Sequence, residues 1–124
     1  MKKIMLVVVD DNLVSRLLPG FILRPFGTLV QVLACECGAD ALRLIGVHHV
    51  THVLLDISMP VMDGVIVAQQ IRSLSKYAEI RLIAYTANAQ VADVAYLKSL
   101  GFDDVLLKPI KCAELLRALD ILAS

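Results

Sequence analysis

The chain has 124 residues, 58% of them hydrophobic, and its 12 lysines and arginines balance its 12 aspartates and glutamates. That length suits one domain over residues 1–124, and a formal charge of zero argues against nucleic acid, whose binding needs a basic excess. No apolar run nears the roughly 18 residues of a spanning helix, and Asp10 and Asp11 cut the run after Lys2 and Lys3 too short for a signal peptide, so the expected location is cytoplasmic.

The first run predicts a strand over Lys3–Val9 that ends on Asp10 and Asp11. A helix is expected over Leu13–Leu23. Pro19-Gly20 lies inside it and predicts a kink or break near Leu18, and Arg24-Pro25 is expected to close it. Leu29–Cys35 reads as the second strand and Ala39–Gly46 as the second helix. Cys35, Cys37 and Cys112 lack framework spacing and read as small packing residues in a reducing compartment. His48, His49 and His52 read as a solvated loop rather than a zinc site. The third strand, His52–Leu55, runs into Asp56. Met59-Pro60-Val61-Met62-Asp63-Gly64 then carries two turn signals before a third helix over Gly64–Leu74. Arg81–Tyr85 is the fourth strand and ends on Thr86, with a helix over Ala89–Leu100 behind it. The fifth strand, Asp103–Leu107, ends on Lys108. Pro109 follows where a cis bond is plausible, and Ala113–Leu122 forms the last helix. Apolar residues cover more than one stripe of the last two helices. The excess forms either a partner or homodimer surface or deep core packing.

Repeated βα units of this length predict an α/β fold: one doubly wound parallel sheet with helices on both faces. The nearly unbroken apolar character of the strands fits a sheet covered twice. Carboxyl ends of parallel strands share one edge, where such sheets bind ligands. Asp10, Asp11, Asp56, Thr86 and Lys108 therefore gather there. Two unit charges about 4 Å apart repel by about 4 kcal/mol at an effective dielectric of about 20, so the acids either take up protons or bind a cation. An all-oxygen site with room for water suits Mg²⁺. Asp56 is placed to attack phosphorus and form an acyl phosphate. Lys108 and Thr86 are placed to hold phosphoryl oxygens.

Asp10-Asp11-Asn12, Asp56 with Met59-Pro60-Val61-Met62-Asp63-Gly64, Thr86-Ala87-Asn88-Ala89 and Lys108-Pro109 together resemble the receiver domain of two-component response regulators, over essentially the whole chain. The resemblance implies a flavodoxin-like (βα)5 sheet in strand order 2-1-3-4-5. It implies phosphoryl transfer to Asp56 from a sensor histidine kinase or a histidine phosphotransfer protein, with output through altered contacts to a downstream protein. It implies Mg²⁺ held by Asp11, Asp56 and the Ser58 backbone carbonyl, and partly through water by Asp10. Thr86 and Lys108 would contact the phosphoryl group, and the Lys108-Pro109 bond would be cis. The Thr-Ala-Asn-Ala stretch looks most like receivers of hybrid kinases.

Two positions depart from the family. Val105 stands where a switching Tyr or Phe is usual, three residues before the lysine. Tyr85 adjoins Thr86, but successive strand side chains face opposite ways, so it is not expected to replace that ring. Pro19-Gly20 alters the helix that the family commonly offers to the phosphodonor. The alternative is a degenerate receiver acting as a constitutive interaction module. An enzyme fits less well. A flavin-phosphate loop would be repelled by Asp10-Asp11, and an aspartate-type phosphatase wants a second acid where Ser58 stands.

Overall fold

Alternate residues of a parallel strand face opposite sides of the sheet, and here both sets are apolar. In the computed structural model, which describes residues 3–57, 64–88 and 93–121, five strands form one sheet: β1 (Ile4–Val9), β2 (Val30–Cys35), β3 (His52–Asp56), β4 (Arg81–Thr86) and β5 (Asp104–Leu107). All pairings are parallel and the spatial order is β2-β1-β3-β4-β5, as expected. The central β3 is buried at every residue.

Five α-helices cover the sheet: α1 (Leu13–Leu23), α2 (Gly38–Val47), α3 (Gly64–Arg72), α4 (Val94–Ser99) and α5 (Cys112–Ala118). One core lies between the sheet and α2, α3 and α4, with Val7, Val9, Val53, Leu55, Leu82 and Ala84 from the strands. The other lies beneath α1 and α5, with Leu6, Val8, Leu54, Ile83, Tyr85 and Leu106. Leu115, Leu116 and Ala118 of α5, and Leu119 just after it, are buried in this second core, while Leu122, also expected in the last helix, lies outside the described residues. On α4, Leu97 is buried, whereas Val94 and Tyr96 are exposed.

Local sequence and structure differ at several points. Pro19 does not interrupt α1, which runs through it to Leu23. An internal proline costs about 3 kcal/mol in an exposed helix, but Pro19 is itself buried, and tertiary packing outweighs propensity. α1 ends at Leu23, as Arg24-Pro25 predicts, although Arg24 itself keeps helical angles as the C-cap. A 3₁₀ stretch over Arg24–Leu29 follows, with Pro25 in its first turn and Gly27 kinked at a φ of 58° that favours glycine, before β2 begins at Val30. The fourth helix begins at Val94, with the Asp93 side chain accepting the Tyr96 N–H at 3.0 Å as its N-cap. The earlier residues expected in it, 89–92, lie outside the described residues. The last helix ends at Ala118 rather than continuing, because Asp120 takes a φ of 58°. His52 is not in a solvated loop: it opens β3 and is buried, with Nδ1 2.8 Å from Thr51 Oγ1 and Nε2 without a hydrogen bond.

Arg72, the last residue of α3, ties two layers together at the edge of the sheet where β4 and β5 begin. Its guanidinium donates to Gly101 O at 2.9 Å, Ile80 O at 2.8 Å and Asp103 Oδ2 at 2.7 Å. Asp103 Oδ2 also accepts the Leu82 N–H at 2.8 Å. The far end of α4 and the starts of two strands thus meet on one side chain.

Candidate phosphoacceptor site

Asp10 is placed by the strand that precedes it. Its N–H donates to Cys35 O at 3.1 Å, extending the β1–β2 ladder by one residue. It follows Leu6 and Val8 in alternation, so it stands on the α1–α5 side of the sheet and is fully buried. Its Oδ1 accepts the Asn12 N–H at 2.9 Å, and Asn12 Oδ1 in turn accepts the Ser15 N–H at 3.0 Å as the N-cap of α1. One short segment therefore fixes an acid and starts a helix. Asp56 ends β3 two residues after Leu54, on the same side, and is buried too. Asp11 is exposed at the rim.

Ligating oxygens of Asp10, Asp11 and Asp56 lie within 4.8 Å of one another, so the acids the sequence singled out do converge. Lys108 is held by its own N–H, which donates to Thr86 O at 2.8 Å. Its Nζ reaches Asp10 Oδ2 at 2.8 Å and Asp56 Oδ2 at 3.4 Å, with the side chain 15% exposed. The Asp10 contact is a short, largely buried ion pair. Burial raises the Asp10 pKa above its ordinary 3.8, and the Asp56 charge adds to this, while Lys108 and the Asn12 N–H oppose it. Lys108 thus meets two of the three acids. That donor set, three carboxylates with oxygens within 4.8 Å, fits a hard divalent cation.

Thr86 ends β4 and is fully buried. Its hydroxyl oxygen accepts the Asn88 N–H at 3.1 Å, which leaves the hydroxyl proton for another acceptor. The Lys108-Pro109 bond is cis, as expected. Ser58 and the following turn as far as Asp63 lie outside the described residues. So the backbone ligand expected from Ser58 has no structural account. Gly64 is the first residue of α3. A Cβ there would lie 2.6 Å from Asp56 O, so only glycine lets α3 start this close to β3.

Three features escaped the sequence. Arg16 reaches back from α1 to Asp10 O at 3.2 Å and pairs with Glu36 at 3.3 Å. Val105 packs against the α2–α4 core in the position that lacks the usual ring. Tyr85 does face away from Thr86, as alternation requires, and there its ring meets Lys108: Nζ stands 4.9 Å from the ring centroid. Cross-strand register would have revealed that contact, and one sequence does not provide it. Among the described residues, the histidines form no metal-ligating group.

Comparison with known proteins agrees with this geometry. The family model described as "Response regulator receiver domain" matches residues 6–120. Two-component system protein A of Emericella nidulans is 31% identical over 115 residues, covering 91% of this chain and 16% of that protein. The Regulator of RpoS of Escherichia coli is 36% identical over 112 residues, covering 90% of this chain and 32% of that protein. The chain therefore spans less than a third of either relative. Among solved structures, the receiver domain of a Pseudomonas aeruginosa sensor histidine kinase, with magnesium coordinated in its active site cleft, superposes with a TM-score of 0.81 at 31% identity and covers 95% of both chains. With the expected strand order, a converged acid cluster and a lysine at its centre, the chain belongs to the response regulator receiver domains of two-component phosphorelays.

Proposed function

We propose that Asp56 is the phosphoacceptor, and that it receives its phosphoryl group from a phosphohistidine of a sensor histidine kinase or a histidine phosphotransfer protein. A carboxylate oxygen of Asp56 attacks phosphorus and forms the O–P bond of an acyl phosphate. The N–P bond breaks, and its electron pair stays on the imidazole nitrogen, which takes a proton from water. The observation that carries this reading is the placement of Lys108 Nζ, in contact with both Asp10 and Asp56 in a largely buried pocket. An ammonium there is already beside the oxygens of an incoming phosphoryl group, so little reorganisation is needed. Thr86 donates its hydroxyl proton to another phosphoryl oxygen.

Asp10, Asp11 and Asp56 would hold Mg²⁺, with the Ser58 carbonyl as a further ligand. The ion supplies charge neutralisation for the transferring group. Asp10 keeps its carboxylate oriented through Asn12, and Asp56 presents its oxygen from the end of a buried strand. The acyl phosphate adds negative charge at the strand ends. Output follows as altered contacts with a downstream protein, and Val94 and Tyr96 of α4 offer exposed apolar side chains for such contacts. Pairing of two copies through α4, the less buried of the last two helices, belongs to the same reading. No helix among the described residues is long and apolar enough to cross a membrane.

Intact-mass measurement after incubation with acetyl phosphate and Mg²⁺ tests the assignment. One added phosphate is expected, absent without Mg²⁺ and absent in Asp56→Ala. A phosphate that persists in Asp56→Ala overturns the role of Asp56. No uptake by the wild-type chain favours a constitutive interaction module instead.

A further inference from the structure

The register pairs Tyr85 of β4 with Leu106 of β5. Lys108 comes two residues after Leu106, so alternation returns it to the face that Tyr85 occupies. That face lies beneath α1 and α5, where Tyr85 is among the largest fully buried side chains. Asp10 and Asp56 share the face, since they follow Leu6, Val8 and Leu54 in alternation. The ring therefore shares the acids' face of the sheet, beside Asp56 in the β3–β4 register, and Lys108 Nζ sits over it, 4.9 Å from its centroid. The Tyr85 hydroxyl is buried with the ring. Burial and the charges of Asp10 and Asp56 push its pKa up to about 12, so it stays a neutral phenol.

A lysine carries its charge on four flexible carbons. To act on a phosphoryl oxygen its ammonium must be held at one height among the acids. We propose that Tyr85 is a positioning residue for Lys108: its ring supports the ammonium from below and sets the reach of Nζ between Asp10 and Asp56. This rests on the phosphoacceptor reading above. The ring comes from β4, on the face opposite to Thr86. It holds the lysine itself and is not a reporter of the threonine. Val105, packed in the other core, cannot give this support.

The test compares wild type, Tyr85→Phe, Tyr85→Leu and Tyr85→Met, each checked for folding by thermal melt. Two readouts are taken. One is the rate of phosphate uptake from acetyl phosphate with Mg²⁺. The other is the proton shift of the Lys108 ε-methylene, which a ring below displaces upfield. Tyr85→Phe is expected to keep both the rate and the shift. Tyr85→Leu and Tyr85→Met are expected to lose the upfield shift and to slow about three- to tenfold, the range a partly desolvated cation–π contact provides. A folded Leu or Met variant with the wild-type rate overturns the proposal, as does a Phe variant as slow as the aliphatic ones. If wild type takes up no phosphate, the phosphoacceptor reading fails, and the positioning role fails with it. The methylene shift then still reports whether the ring and the ammonium touch.

Discussion

Replacing Asp10 by asparagine should stabilise the protein without divalent cations and remove most of what magnesium adds. Asp10 is fully buried. Its oxygens lie within 4.8 Å of those of Asp56, where two unit charges repel by at least about 3.5 kcal/mol at an effective dielectric of about 20. Lys108, at 2.8 Å, returns an attraction of about 6 kcal/mol on the same scale. Removing a carboxylate from water costs several kcal/mol more, and the balance falls against the charge, since burial raises the Asp10 pKa. The native state then binds more protons than the unfolded chain. Stability from this group is fully present below pH 3.8 and is lost as pH rises through the raised native value. Asparagine keeps the acceptor for the Asn12 N–H, leaves Lys108 with Asp56, and removes the loss. A gain of about 1–3 kcal/mol is expected at neutral pH. Urea denaturation in EDTA, followed by circular dichroism over a pH series, measures it. With magnesium at about 100 times its Kd, wild type should gain about 2.7 kcal/mol and the variant far less. A variant less stable than wild type in EDTA at neutral pH, or equally stabilised at every pH, would refute the reasoning.

Arg72→Ala should cost about 3 kcal/mol in the same denaturation assay, because a charged donor leaves three acceptors on different elements. Combined with Asp103→Ala, a double-mutant cycle should give a coupling of about 1–2 kcal/mol, and a coupling near zero would show that the pair is incidental. Burial lowers the His52 pKa, with the charge of Arg81 acting the same way and those of Asp120 and Asp103 against it. The unfolded state then binds more protons, so stability falls as pH drops from 6.5 toward the lowered native value. His52→Phe should flatten that slope in a melting-temperature series, and an unchanged slope would assign it to another group.

The acids, the threonine and the lysine were legible because each interrupts an apolar run at the same point of a repeating unit. Once parallel strands are inferred, their carboxyl ends must share an edge. What could not be read depends on register and packing. Tyr85 looked remote from the lysine because its facing relative to Thr86 follows from one strand, whereas its contact with Lys108 follows from the pairing of two. Pro19 looked like a breaker because propensity describes a solvated helix, and its burial is a tertiary fact. His52 looked solvated alongside two exposed histidines, yet the strand it opens is wholly buried. Arg72 gave no signal, since its acidic partner lies 31 residues on.

The Arg72 junction and the acid cluster occupy opposite rims of the same sheet. One rim joins α3, α4, β4 and β5 through satisfied bonds, while the other crowds like charges that resist folding when empty-handed. A receiver laid out this way can be hardened against heat by substitutions around the first rim with its chemistry untouched. Softening that junction should lower the melting point well before it slows phosphoryl uptake, so the two properties can be engineered separately.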